Sequence, residues 1–284
     1  MISTKAYKSE IKKMSHHREE GFTLIELSIV LVIIGLIVGG ILVGQDMIKA
    51  AQIRATVAQL EKYNAAVNTF RSKYNGLPGD LLNPTNFFPG VTGSAGTTGL
   101  ANGNGLIEGS GTDVMGLDGE NAVFWYELFQ ANMIPDNNTN VGLATAAYTI
   151  SPTVLPPAKI GKATYFHVAS SGGLNYFVLA GFSGTTTAAS GDFATIGLNL
   201  SPNEAFQIDT KMDDGIPTTG TVVSAGGANA AAVTTTIVTQ GGTYHATGAL
   251  AAGDCYDSTL SIYATSAAAT KDAPGCVLRI RTNF

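Results

Sequence analysis

The chain has 284 residues and a net charge of −5, and only 13% of its residues are charged. Because there is no basic surplus, nucleic-acid binding driven by bulk electrostatics is excluded. The length suffices for one anchoring helix and a sizeable globular domain. The abundance of Gly, Ala, Ser, Thr and Asn favours a loop-rich, extracytoplasmic β protein over a cytosolic enzyme.

The first predicted element is an apolar helix near the N-terminus. After Glu26 the next charged residue is Asp46. The 19 residues from 27 to 45 would extend about 28 Å as a helix, which matches the ~30 Å core of a bilayer. The preceding segment is basic and should stay in the cytoplasm, so we expect a single pass with the C-terminal part outside. A carboxylate inside such a segment is costly, which makes Glu26 a candidate functional residue.

Hydropathy alone leaves the purpose of this helix open. A secretory signal peptide is disfavoured, because the apolar run exceeds 7–15 residues and no small-x-small cleavage site follows it. A simple signal anchor would satisfy the same pattern. The residues at the start of the apolar run therefore distinguish a simple signal anchor from other kinds of membrane helix.

The segment GFTLIEL at residues 21–27 resembles the processing site of type IV prepilins and type II secretion pseudopilins. The resemblance implies that a prepilin peptidase cleaves between Gly21 and Phe22, and that Phe22 is then N-methylated. The leader would comprise residues 1–21, or residues 14–21 if translation starts at Met14.

The same resemblance implies a structural role in a filament. The Glu26 carboxylate would pair with the Phe22 amine of a neighbouring subunit, because either charge alone is costly to desolvate. The alternative is that Glu26 lies in the headgroup region and has little effect. The implied partners are other pilin or pseudopilin subunits, the prepilin peptidase, an inner-membrane platform protein and an assembly ATPase. We expect a bacterial inner-membrane protein with a periplasmic head, later part of a pilus or pseudopilus.

The apolar helix is predicted to continue as an amphipathic one. Residues 46–75 carry an apolar stripe at spacings of three, four or seven, and the sequence GLPG at 76–79 should end it. The resemblance implies an α+β, pilin-like fold, in which a membrane half (22–45) and an amphipathic half (46–75) precede an antiparallel β-sheet head (76–284). Two Gly-x-x-x-Gly spacings in the membrane half indicate either close helix packing or tolerated flexibility; they involve Gly35, Gly39, Gly40 and Gly44.

The head is predicted to contain short helices and strands. Residues 84–119 are rich in Gly, Thr, Ser and Asn and indicate a long surface loop. Ser201 and Glu204 form a capping box that starts a helix ending near Gly215. The remaining predicted elements are a helix at 121–133 and strands at 163–170, 174–182, 221–225, 234–239 and 276–281.

Three acidic residues crowd the end of the helix that starts at Ser201. Asp209, Asp213 and Asp214 oppose the helix macrodipole, and Asp209 with Asp213 is a like-charge pair four residues apart. We expect either compensation by a salt bridge, for example to Lys211 or a distant arginine, or simple tolerance of the repulsion. The alternative is a bound Ca²⁺, because this ion takes carboxylate oxygens as ligands; no other cofactor is expected.

The two cysteines, Cys255 and Cys276, lie near the C-terminus. An exported chain meets oxidising conditions, so a disulfide is expected. C-terminal disulfide loops of this kind are common in pilins, and the resemblance therefore implies the same pairing. Two free thiols are the alternative.

The sequence carries no pattern typical of catalysis. The chain has no Gly-x-Ser-x-Gly, His-Glu-x-x-His or Cys-x-x-Cys, and we predict that it is not an enzyme. We interpret it as a minor pilin or pseudopilin, with pilus and type II secretion roles both open. The rival is a membrane-anchored periplasmic binding or enzymatic domain that does not polymerise.

Overall fold

The computed structural model describes residues 21–88, 91, 101–109, 119–135, 150–183, 195–225, 254–257, 260–266 and 271–284. The predicted strand at 234–239 and the leader before Gly21 lie outside the described residues. The described elements are, in chain order, α1 (Leu24–Tyr74), a 3-10 helix (Pro84–Asn86), α2 (Gly119–Gln130), β1 (Thr164–Ser171), β2 (Leu174–Ser183), β3 (Thr195–Gly197), α3 (Pro202–Met212), β4 (Val222–Ala225), β5 (Tyr256–Asp257), β6 (Ile262–Tyr263) and β7 (Val277–Arg281).

The chain divides into two compact units, and the boundary lies within α1. The first unit is Met1–Ile48 and the second is Lys49–Phe284. In the first unit, α1 is long and apolar enough to cross a membrane, and none of its most apolar window is buried. This agrees with the apolar helix predicted from the sequence.

In the second unit, the remainder of α1 packs against the head. The predicted amphipathic stripe is the face that is buried; Ile53, Leu60, Val67 and Phe70 are each no more than 1% exposed. The helix ends at Tyr74 because Asn75 adopts a left-handed φ of 56°. The Asn75 amide donates to the Arg71 carbonyl at 2.9 Å, which satisfies a carbonyl of the last turn.

The head contains an antiparallel sheet in the order β1-β2-β7-β4, and β3 also pairs with β2. The β1–β2 hairpin runs from Thr164 opposite Gly181 to Ser171 opposite Leu174. Its turn is Gly172-Gly173, and both glycines have positive φ. A separate two-stranded sheet is formed by β5 and β6. The sheet confirms the predicted α+β layout.

Aromatic side chains join the helices to the sheet. The Tyr63 ring on α1 lies 4.9 Å from the Trp125 ring on α2 and 5.4 Å from the Phe166 ring on β1. Trp125 also packs at 5.9 Å from Phe177 on β2. The two contacts of Tyr63 are edge-on, and such contacts stabilise a core beyond the area that they bury. The core of the second unit is therefore centred where α1, α2 and the β1–β2 hairpin meet.

The expectation of a surface loop at 84–119 is wrong for several of its described residues. Phe88, Val91 and Ile107 are each no more than 3% exposed. The Ile107 amide donates to the Asn175 side chain at 2.9 Å, and the Asn175 amide donates to the Gly105 carbonyl at 2.8 Å. Composition indicates a loop, but distant polar side chains hold this loop in the core.

Candidate functional site

The N-terminus of α1 brings the residues of the predicted processing site together within one turn. Gly21 and Phe22 are exposed, and the Phe22 side chain retains 82% of its accessible surface. Glu26 follows in the first turn of the helix and is also exposed. The Gly21–Phe22 bond is therefore not covered by other described residues.

Glu26 forms a capping box with Thr23. The Thr23 amide and hydroxyl donate to Glu26 Oε2 at 2.8 and 2.7 Å, and the Glu26 amide donates to the Thr23 hydroxyl at 3.3 Å. These bonds satisfy amides that have no partner inside the helix. Glu26 Oε1 makes no hydrogen bond within the described residues, so this oxygen is free to accept one from another molecule.

Thr23 is a residue that the sequence analysis missed. The signal was present, since Thr at one position and Glu three residues later, ahead of an apolar run, is the pattern of a capping box. The same pattern at Ser201 and Glu204 was recognised. In both cases the box fixes where the helix begins.

The apolar part of α1 presents its side chains outward on every face. Leu24, Leu31 and Leu36 retain 86, 69 and 73% of their accessible surface. The four glycines of this segment, Gly35, Gly39, Gly40 and Gly44, have no other group within 4 Å of the position of an added Cβ. Among the described residues nothing packs against these glycines, so a surface for close helix contact is available to another molecule.

The second group of predicted site residues lies at the end of α3. Carboxylate oxygens of Asp209, Asp213 and Asp214 all lie within 4.8 Å of one another. Asp209 is buried and accepts from the Tyr263 hydroxyl at 2.8 Å and from the Gly215 amide at 3.2 Å. Burial raises the pKa of Asp209 to about 6, although the bond from Tyr263 opposes the shift.

The expectation that a salt bridge compensates these acids is wrong. Within the part of the chain that the structure describes, neither ion pair involves them; the pairs are Lys162 with Glu204 and Lys271 with Asp272. The compensating donors are amides and a hydroxyl of the segment that follows α3. The Asp213 carboxylate accepts from the amides of Thr221 and Val222, and Asp214 accepts from the Ile216 amide and the Thr219 hydroxyl.

The third group is the cysteine pair. Cys255 and Cys276 form a disulfide with a sequence separation of 21, and both residues are fully buried. The Ser224 hydroxyl of β4 lies 2.8 Å from Cys255 Sγ. Tyr263 lies opposite Tyr256, the neighbour of Cys255, in the β5–β6 pairing. The disulfide and the acidic cluster therefore adjoin the same two-stranded sheet.

The comparisons with known proteins bear on the N-terminal site. A family model of the prokaryotic N-terminal methylation motif matches residues 16–42. This is the signal motif of type IV pilins and pseudopilins. The match covers the Gly21–Phe22 bond, the Thr23–Glu26 capping box and most of the apolar helix.

The motif at residues 16–42 therefore supports a type IV pilin- or pseudopilin-like precursor. Such a motif is typical of a structural protein that is processed by a prepilin peptidase and assembles with other pilin subunits. No characterised protein and no solved structure shows significant similarity to the chain.

Proposed function

We propose that this protein is a structural subunit, a minor pilin or pseudopilin, of a type IV pilus or type II secretion pseudopilus. One observation carries the proposal: the methylation motif leads directly into an apolar helix with unburied side chains. The helix would hold the precursor in the bacterial inner membrane as a single pass, with the head in the periplasm. The role proposed is structural and not catalytic.

Maturation would begin at the exposed Gly21–Phe22 bond. A prepilin peptidase would cut after Gly21, and the new N-terminal amine of Phe22 would be methylated. Thr23 and Glu26 remain in the mature chain, so the capping box would survive processing. An inner-membrane platform protein and an assembly ATPase would then extract the subunit from the bilayer.

Assembly would be driven by packing of the apolar part of α1 against the same segment of neighbouring subunits. The open surface at the four glycines allows backbones to approach closely. Glu26 would add specificity, because its unbonded Oε1 can accept from the Phe22 amine of a neighbour. Such a pair fixes register more than it adds net stability, because desolvation offsets much of the attraction.

Replacement of Glu26 by Ala tests this role. We expect cleavage at Phe22 to be largely retained. Removal of one partner of a buried ion pair costs about 3–5 kcal/mol, so incorporation into filaments should fall at least roughly tenfold. Mass spectrometry of the mature N-terminus reports cleavage and methylation, and quantification of sheared filaments or of a purified pseudopilus reports assembly.

Thr23→Val is the matched control for Glu26→Ala. It removes the hydroxyl of the capping box at a cost of about 1 kcal/mol, but it retains the carboxylate. Near-normal assembly of this variant is expected. Equal loss in both variants would assign Glu26 a capping role only, and wild-type incorporation of Glu26→Ala would refute the register role.

A non-polymerising membrane anchor is the alternative function. It predicts that the leader stays attached and that the protein is recovered as isolated subunits in the presence of the peptidase and assembly proteins. A mature chain that starts at N-methylated Phe22 would exclude it. The same mass-spectrometric measurement therefore separates the two functions.

We also propose that Asp209, Asp213 and Asp214 bind Ca²⁺. Three carboxylates converge within 4.8 Å, and Asp213 Oδ1 accepts no hydrogen bond within the described residues. Ca²⁺ takes six to eight oxygen ligands and tolerates irregular geometry. Millimolar Ca²⁺ should raise the Tm of the wild type but not of Asp213→Asn. An equal response in both proteins, or none in the wild type, would exclude binding here.

A further inference from the structure

Three carboxyl groups lie buried where α2 meets the segment after α1. Asp80, Glu120 and Glu127 are 2, 1 and 0% exposed. Glu120 and Glu127 lie in α2, and Asp80 lies just after the end of α1. Buried carboxyl groups are uncommon, and they are costly unless hydrogen-bond partners compensate their burial.

Each carboxyl group holds a different stretch of backbone. The Gly79 amide donates to Glu127 Oε2 at 2.7 Å. The Gly103 and Gly105 amides donate to the two oxygens of Asp80 at 2.6 and 2.7 Å. The amides of Ala101 and Glu108 donate to the two oxygens of Glu120 at 2.6 and 2.9 Å. Residues 79–80 and 101–108 are thus tied to each other and to α2 by three acidic side chains.

Gly79 shows how closely these segments approach. Its φ is 86°, and an added Cβ would lie 2.5 Å from the Glu120 carbonyl oxygen. Only glycine fits a backbone of this conformation at this distance. The backbone at Gly79 therefore packs directly against the start of α2.

The burial of the three acids favours their protonated forms. Within the described residues no ion pair involves Asp80, Glu120 or Glu127, and a buried carboxyl group without a cationic partner is disfavoured in its charged form. Glu127 Oε1 is also buried without a hydrogen-bond partner, so a charge on this carboxylate would be poorly compensated. We therefore expect the cluster to hold protons in the folded chain.

The neighbouring charged groups do not supply positive charge that could replace the bound protons. Asp80 and Glu108 add negative potential at Glu120, and Asp80 does so at Glu127. Arg71 of α1 lines the same cavity of about 580 Å³ as Asp80 and the C-terminal residue Phe284. Within the described residues, however, no ion pair joins Arg71 to any of these acids.

We propose that Asp80, Glu120 and Glu127 form a proton-operated latch that fastens residues 79–80 and 101–108 to α2 and releases them as pH rises. When all three groups ionise, three like charges are buried with no ion-pair partner among the described residues. Opening of the two segments then relieves the repulsion by exposing the carboxylates to solvent. We call this group the carboxyl latch.

The pKa shifts define the pH range over which the latch would operate. Burial raises the pKa of Glu120 and of Glu127 to about 8, and it raises the pKa of Asp80 above its ordinary value. The unfolded or opened chain has ordinary glutamate pKa values near 4.5. The closed state therefore binds more protons between these limits, and its stability falls as pH rises from about 5 to 8. Above that range the contribution is lost and the dependence levels off.

Thermal unfolding of the full chain in detergent, measured from pH 5 to pH 9, tests the latch. The wild-type Tm should fall by about 4–10 °C across this range. Glu127→Gln retains an oxygen for the Gly79 amide but cannot ionise, so its Tm should fall distinctly less. Glu61→Gln, an exposed position on α1, is the matched control and should follow the wild type.

Amide hydrogen exchange locates the change. After correction for the intrinsic pH dependence, the amides of residues 79, 101, 103, 105 and 108 should lose roughly tenfold or more of their protection between pH 6 and pH 9. The amides of β2 should lose much less. A pH-independent wild-type Tm with constant protection, or an undiminished fall in Glu127→Gln, would overturn the proposal. If Glu127→Gln fails to fold, the pH dependence of the wild-type Tm and the wild-type hydrogen-exchange data still test the proposal.

Discussion

Tyr263 and Asp209 form a buried pair that supports the end of α3. The Tyr263 hydroxyl donates to Asp209 Oδ2 at 2.8 Å, and both residues are no more than 3% exposed. Without this donor, Asp209 would keep only the weaker bond from the Gly215 amide at 3.2 Å. The hydroxyl therefore links β6 to α3 by satisfying an acid that burial disfavours.

Tyr263→Phe should destabilise the second unit by about 1–3 kcal/mol, because a buried acceptor loses its donor. Urea-induced unfolding in the presence of a chelator measures this without a contribution from metal. Tyr256→Phe is the matched control: Tyr256 lies opposite Tyr263 in the same pairing, and its hydroxyl makes no hydrogen bond within the described residues. Equal losses in the two variants would show that the Asp209 bond contributes nothing specific.

At the scale of single elements, the sequence was informative wherever the signal was local. The Ser201 capping box is present, with the Glu204 amide donating to the Ser201 hydroxyl at 3.3 Å. The apolar stripe of α1 predicted the buried face, because a spacing of three and four places side chains on one side of a helix. The hairpin at 164–183 also agrees with its predicted strands to within about one residue.

The elements that were missed depend on contacts between residues far apart in the chain. Composition assigned residues 84–119 to the surface, but Asp80, Glu120 and Asn175 fix the described part of this segment. Likewise, the acids at the end of α3 suggested a salt bridge, whereas the compensating donors are amides of the following turn. These partners come from outside the segment whose composition or charge was interpreted. The local sequence therefore does not identify them.

The whole molecule combines an apolar N-terminal helix whose side chains are exposed with a head that has a buried core of its own. The motif at residues 21–27 could be identified from sequence, because its residues are contiguous in the chain. The carboxyl latch could not, because its three acids converge only after α1, α2 and residues 101–108 are folded together. Sequence therefore predicts the candidate assembly site better than the features that hold the head closed.

The disulfide joins two residues of the head that lie 21 positions apart near the C-terminus. Cys276 pairs with Leu200, ahead of α3, and it immediately precedes β7, which lies between β2 and β4. Cys255 precedes β5. The bond thus ties the small β5–β6 sheet to the central sheet, and these two sheets share no strand pairing within the described residues.

Reduction of this bond should lower the Tm of the full chain by about 6–12 °C. Closing a loop of this length contributes on the order of 3 kcal/mol in the chain-entropy model, and each kcal/mol corresponds to about 2–4 °C in a domain of this size. Differential scanning calorimetry with and without a phosphine reductant measures the shift. The Cys255→Ala/Cys276→Ala double variant should show the lower Tm and no response to reductant. An unchanged Tm on complete reduction of the wild type, verified by thiol titration, would show that packing around β7 holds the two sheets together without the bond.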